Sequence, residues 1–119
     1  PLVHGRWLTP GTHLDLVGAF RADMRESDVE ALARSRLFVD TRAGALKEGG
    51  DVVQAIEAGV ITETQVLGEL ADLASGAMVG REHDADITCF KSVGAALEDL
   101  AAASLAYERA GDQVSRPLQ

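Results

Sequence analysis

Three short apolar runs, each followed by a segment with helical spacing, constrain this chain more than any other feature: "HLDLVGAF" at 13–20, "LFVD" at 37–40 and "ITCF" at 87–90. "LFVD" is β-branched and aromatic without polar alternation, which suits a strand covered on both faces. "HLDLVGAF" alternates at Leu14 and Leu16, then turns small through Val17, Gly18 and Ala19. A buried strand does this where it ends at a close backbone approach, so Gly18 marks that end. Between these two runs, "ESDVEALARSR" offers Ser27 as an N-cap with Glu30 three residues on, and Val29, Leu32 and Ala33 fall at helical spacing. Strand, helix and strand within about thirty residues make a parallel βαβ unit.

The rest of the chain continues the alternation. "WLTPGT" carries a Pro-Gly turn signal ahead of the first strand. "TRAGALKEGGDVVQAIEAG" reads as two short helices broken at Gly49 and Gly50 and resumed through Val52, Val53 and Ile56. "TETQVLGELADLASG" places Val66, Leu67, Leu70 and Leu73 on one helical face, with Thr62 and Gln65 as a capping box and Gly76 as the stop. The polar loop "VGREHDAD" leads into "ITCF", after which a helix is predicted over 93–110, followed by a frayed tail. The fold class is therefore α/β: three parallel strands with helices between and after them, part of a doubly wound sheet.

Composition narrows the function classes. A chain of 119 residues with 46% hydrophobic content makes one domain with a sizeable core. Nineteen acidic against eleven basic residues leave a net charge of −8, which disfavours nucleic acid and anionic membrane surfaces as partners. Cys89 is the only cysteine, so no internal disulfide forms; its place in an apolar run reads as a buried small hydrophobe in a reducing cytoplasm. No stretch reaches the roughly 18 apolar residues of a membrane span, and no signal-peptide pattern opens the chain. The opening "PLVHGRWLTPG" lacks an initiator Met and reads like the interior of a domain, the expectation being a fragment of a larger chain.

In doubly wound sheets ligands bind beyond the carboxyl ends of the strands. Two segments fall there: Val17, Gly18 and Ala19 after the first strand, and Lys91 and Ser92 after "ITCF". Small residues let a flat ring approach the backbone, and Arg21, Asp23, Arg25 and Glu26 follow as polar groups; a tight turn with a solvated charge run is the plainer alternative. Ser92 is placed either to cap the following helix or to bond a ligand, and Lys91 either to reach a ligand or to form a salt bridge. His4, His13 and His83 have no metal-ligand spacing with one another or with Cys89. Glu98 and Asp99 read as an exposed helix face, and the alanines from Ala95 to Ala106 suit close helix packing. Nothing resembles a nucleophile with a base and an orienting acid, so no catalytic residue is identified.

Taken in order, "PGTHLDLVGAFRADMRE", "LFVDTRAGALKEGGDV", "ITETQVLGELADLASG" and "ITCFKSVGAALEDLAAASLAYERA" resemble the C-terminal part of the ornithine cyclodeaminase and mu-crystallin family. The resemblance rests on the order of the segments and on the V-G-A-x-R-x-D-x-R-E and F-K-S-x-G cores. It implies that 1–92 form the second half of an NAD(P)-binding Rossmann domain. Residues 93–111 would be a C-terminal helix packing back toward a dimerisation and substrate domain, and 112–119 a tail. It further implies NAD or NADP as cofactor, a small-molecule amino acid or imine as substrate, and a homodimer of the full-length protein. The family's glycine-rich phosphate loop and its substrate-binding lysine and arginine precede the region covered.

Carried over by position, Val17, Gly18 and Ala19 match the segment facing the nicotinamide, Ser92 matches a dinucleotide contact, and Lys91 belongs to the same turn. Glu48 matches a position near bound ligand in the mu-crystallin branch. Where cyclodeaminases proper carry an acid/base Asp, this chain has Phe20, which cannot move a proton and would wall the substrate pocket instead. Ala22 stands where a proline is common in the pattern. The implied activity is hydride transfer between nicotinamide and an imine, ketimine or amino-acid carbon. A cyclodeaminase-type lyase and a non-catalytic dinucleotide- or small-ligand-binding protein are the alternatives.

Overall fold

The computed structural model describes residues 1–114. Four strands, β1 (His13–Leu16), β2 (Arg36–Val39), β3 (Val66–Glu69) and β4 (Thr88–Lys91), form one sheet in the order β1-β4-β2-β3, with every pair parallel. Five helices connect and follow them: α1 (Val29–Ala33), α2 (Arg42–Glu48), α3 (Gly50–Glu57), α4 (Leu70–Ser75) and α5 (Ala96–Val114). The α/β class, the parallel sheet and the break between α2 and α3 agree with the sequence reading.

Strand periodicity decides which face makes the core. Leu16, Leu37, Val39, Val66 and Cys89 point from the sheet onto Leu32 of α1, Ala45 of α2 and Val52 and Ala55 of α3, all of them buried. Each such Leu or Val contributes about 1.5–3 kcal/mol over an exposed position. Cys89 is fully buried, as expected, and burial, with Asp51 nearby, pushes its thiol up to about 12, so it stays neutral.

Three expectations are corrected. First, "QVLGE" is not helical: β3 occupies Val66–Glu69, so the sheet has four strands rather than three. Val66 packs in the core, and a register shift against β2 between Leu37 and Phe38 accommodates Leu67. The Thr62–Gln65 capping box is present but closes a single 3-10 turn, Glu63–Gln65. Helix begins only at Leu70, where Glu69 and Asp72 make a second reciprocal cap, and it stops at Gly76 in the left-handed region.

Second, Asp28 and not Ser27 caps α1. Its Oδ1 accepts the Ala31 N–H at 3.0 Å and the Gly5 N–H at 2.8 Å, and its Oδ2 lies 2.9 Å from His4 Nδ1. Burial raises the Asp28 pKa, but these bonds outweigh it and hold the carboxyl below its ordinary 3.8. Third, α5 starts at Ala96 rather than at 93 and runs to Val114, so the predicted tail at 112–119 begins inside a helix; 115–119 lie outside the described residues. Residues 96–110 are exposed throughout, and no helix among the described residues is long and apolar enough to cross a membrane.

Candidate functional site

Parallel register lines up the strand ends. Leu16 pairs with Lys91, Lys91 with Val39, and Val39 with Glu69. The residues that follow, Val17, Ser92 and Asp40, therefore emerge together at one edge, and the Ser92 N–H donates to the Leu16 carbonyl at 3.0 Å. Val17 is 62% and Phe20 53% exposed there, whereas Ala19 is buried beneath them. The structure thus brings Val17, Gly18 and Ser92 onto one surface, with Ala19 beneath it. Ser92 is half-buried and lies well ahead of α5, so it does not cap that helix.

Both turns at this edge are held from below by carboxylates. Glu26 Oε2 accepts the Gly18 N–H at 2.7 Å and the Ala19 N–H at 3.0 Å. Asp40, at the end of β2, accepts the Val93 and Gly94 N–H groups on Oδ2, both at 2.8 Å, and the Thr41 N–H on Oδ1 at 2.7 Å. Gly94 has φ +87°, a conformation other residues rarely adopt, which explains the glycine in "FKSVG". At the next strand end Glu69 Oε1 accepts the Arg42 N–H at 2.6 Å, while the Arg42 guanidinium reaches the Val66 and Leu67 carbonyls.

Lys91 sits under these turns rather than among them. It is wholly buried, with Nζ 3.4 Å from Glu26 Oε2, 3.4 Å from the Leu16 carbonyl and 3.7 Å from Asp51 Oδ2. Asp51, also buried, accepts the N–H groups of Glu26 and Ser27 and the Ser27 hydroxyl on Oδ1. The expected ligand contact by Lys91 is thus replaced by an internal ion cluster. Glu48 is exposed at the end of α2, two residues before Gly50, whose backbone lies against the Arg21 and Met24 carbonyls of the loop after β1. Sequence reading named Glu26 only as one polar group among several and missed Asp40, Asp51 and Glu69. The signal for Asp40 was an acid closing the apolar run "LFVD".

The arrangement has a chemical consequence. A pyrophosphate needs free backbone N–H groups, but those of Gly18, Ala19, Val93, Gly94 and Arg42 already donate to carboxylates. These N–H groups are therefore not free to bind a phosphate. A separate cavity of about 230 Å³, lined by Phe38, Leu73, Phe90 and Arg81 among others, lies on the opposite sheet face near His13 and Thr88, the first residues of their strands. Arg81 there donates to the carbonyls of Gly11, Thr12, Asp84 and Asp86 and so holds loops together. Among the described residues no acidic, histidine or cysteine cluster fit for a metal ion occurs.

Comparison with known proteins bears on the family and the fold. The mouse ketimine reductase mu-crystallin is 42% identical over 108 residues, covering 91% of this chain and 32% of that protein. The structure of Thermococcus litoralis Δ1-pyrroline-2-carboxylate reductase in complex with NADH and L-proline superposes with a TM-score of 0.90 at 44% identity, covering 95% of this chain and 35% of that one. An archaeal alanine dehydrogenase dimer with bound NAD superposes with a TM-score of 0.86 at 33% identity, covering 98% and 36%. The chain thus spans about a third of the length of these relatives. The model of the ornithine cyclodeaminase/mu-crystallin family matches residues 1–113, and the chain belongs to that family.

Proposed function

We propose that the full-length protein is an NAD(P)-dependent oxidoreductase that moves hydride between nicotinamide and the carbon of an imine or ketimine. The observation that carries this reading is the juxtaposition of the small, partly exposed turn 17–19 with Ser92 at the carboxyl edge. It is supported by the NADH and L-proline bound to a relative with 44% identity. The nicotinamide, when bound, supplies the hydride. In this reading Val17 and Gly18 form the floor for the ring and buried Ala19 supports them from beneath, while the absent side chain of Gly18 leaves room for the Glu26 carboxylate that holds the turn. The Ser92 hydroxyl bonds the dinucleotide.

Phe20 defines the chemistry by what it lacks. Its phenyl ring, 53% exposed beside the turn, excludes water and packs against a carbon skeleton but transfers no proton. That disfavours cyclisation of a diamino acid. Reduction of a C=N bond bound already protonated, as an iminium, needs only the hydride, so a cyclic imine bearing a carboxylate and bound in that form is the proposed substrate class. Glu48, exposed at the end of α2, is the further residue assigned to the ligand in this reading. Residues 1–92 serve as the second half of the dinucleotide domain, and the exposed Leu97, Leu100, Leu105 and Tyr107 of α5 suit a helix that returns to a dimer-forming domain.

The test is oxidation of NADH and of NADPH by the full-length protein against cyclic ketimines, pyruvate with ammonium, and ornithine with the oxidised cofactors. Turnover with a cyclic ketimine is expected. Release of ammonia from ornithine as the fastest reaction would reject the reductase reading, and tight cofactor binding without turnover on any substrate would make the protein a ligand carrier.

A further inference from the structure

We propose that Glu26 is a positioning residue for the ligand-facing turn 17–19, and that buried Lys91 holds it in place. The proposal rests on the functional reading for the identity of the ligand, though not for the clamp itself. Gly18 and Ala19 follow the last residue of β1, so no strand ladder fixes their N–H groups. One oxygen of Glu26 takes both, at 2.7 and 3.0 Å. Bonds to an ionised acceptor are roughly twice as strong as neutral ones, so a single carboxylate fixes the plane of the turn.

The fit is reciprocal. A Cβ on Gly18 would stand 2.8 Å from Glu26 Oε1, so the carboxylate lies against the glycine where any other residue would push it away. Lys91 brackets the same turn from both sides: its ammonium is 3.4 Å from the Leu16 carbonyl, just before the turn, and 3.4 Å from Glu26, which holds the turn itself. Asp51 completes the bracket by accepting the Glu26 N–H at 3.0 Å. Lys91 is also the last residue of β4, directly before Ser92. One partly buried ion pair therefore ties the turn after β1 to the turn after β4, and the two surfaces offered to the ligand keep a fixed separation.

Glu26→Gln in the full-length protein keeps an oxygen acceptor and removes the charge. We expect NADH affinity to fall by about tenfold, the loss of one charge-assisted bond's worth of positioning, and amide exchange of Gly18 and Ala19 by NMR to quicken by a similar factor. Asp86→Asn is the control: Asp86 caps a remote loop by accepting the Glu82 and His83 N–H groups, so it should lower thermal stability without moving affinity. Faster exchange in Glu26→Gln with unchanged affinity would reduce Glu26 to a structural role. Equal affinity losses in Glu26→Gln and Asp86→Asn would do the same. Unchanged exchange would overturn the clamp. A wild-type protein that binds no dinucleotide would overturn the functional reading and the positioning role with it, while exchange would still report on the clamp.

Discussion

Lys91→Met is expected to destabilise the fold by about 3–5 kcal/mol, because it leaves buried carboxylate charge without its cation. Methionine matches the length of the lysine stem, so packing changes little and charge is the variable. Asp51 is wholly buried and its Oδ2 has no hydrogen-bond partner among the described residues, only the ammonium at 3.7 Å. Glu26 keeps its two backbone donors and is partly exposed, so Asp51 is the more severely orphaned of the two. Urea unfolding measures the loss. Adding Asp51→Asn to Lys91→Met should restore part of it, a coupling that a double-mutant cycle reads directly. A loss under about 1 kcal/mol for Lys91→Met would mean that water reaches the cluster and that the ion pair does not hold the edge together.

Gly50→Ala is expected to destabilise the protein by about 2 kcal/mol, against the direction that helix propensity alone would give. Alanine inside a helix gains up to about 1 kcal/mol over glycine. Here a Cβ would overlap the carbonyl oxygens of Met24 and Arg21, so the loop after β1 must shift to admit it. Overpacking of this kind costs about 1–3 kcal/mol, and the upper end applies because the clashing atoms are backbone rather than flexible side chain. Gly76, where a Cβ would meet nothing within 4 Å, gives the comparison: its substitution strains φ at +75° but moves no other segment. Unfolding midpoints distinguish the two accounts. A neutral or stabilised Gly50→Ala protein would show that α3 and the loop do not pack as closely as the structure has them.

What could be read from the chain was set by periodicity and by local chemistry. "LFVD" and "ITCF" declared buried parallel strands because each is a short, mostly apolar run without strict polar alternation, and Gly49-Gly50 declared the break between helices. "QVLGELADL" misled because Val66, Leu67, Leu70 and Leu73 satisfy helical spacing, while the segment changes from strand to helix at Leu70. Four strand residues are too few to show their own period against a helix that begins directly after them. At the site, Val17 to Ala19 and Ser92 were legible as strand ends and as motif positions. The carboxylates beneath them were not, because Glu26, Asp40 and Asp51 meet Gly18, Val93 and Lys91 across 8, 53 and 40 residues of sequence. The first pairing closes within the loop between β1 and α1, and the other two depend on the sheet order, with β4 inserted between β1 and β2. Lys91 is the clearest case: it ends β4, and strand alternation turns its side chain to the same face as Cys89, into the core.

In the proposed function the nicotinamide end of a dinucleotide lies on the edge formed by the turn 17–19 and by Ser92. Amide hydrogen exchange of the full-length protein with and without saturating NADH tests it most directly. The account predicts new protection concentrated at 17–20 and 92–94, with the cavity beside Phe38 and Phe90 unchanged. Saturated binding that leaves both turns unprotected, or that protects the opposite sheet face instead, would contradict it.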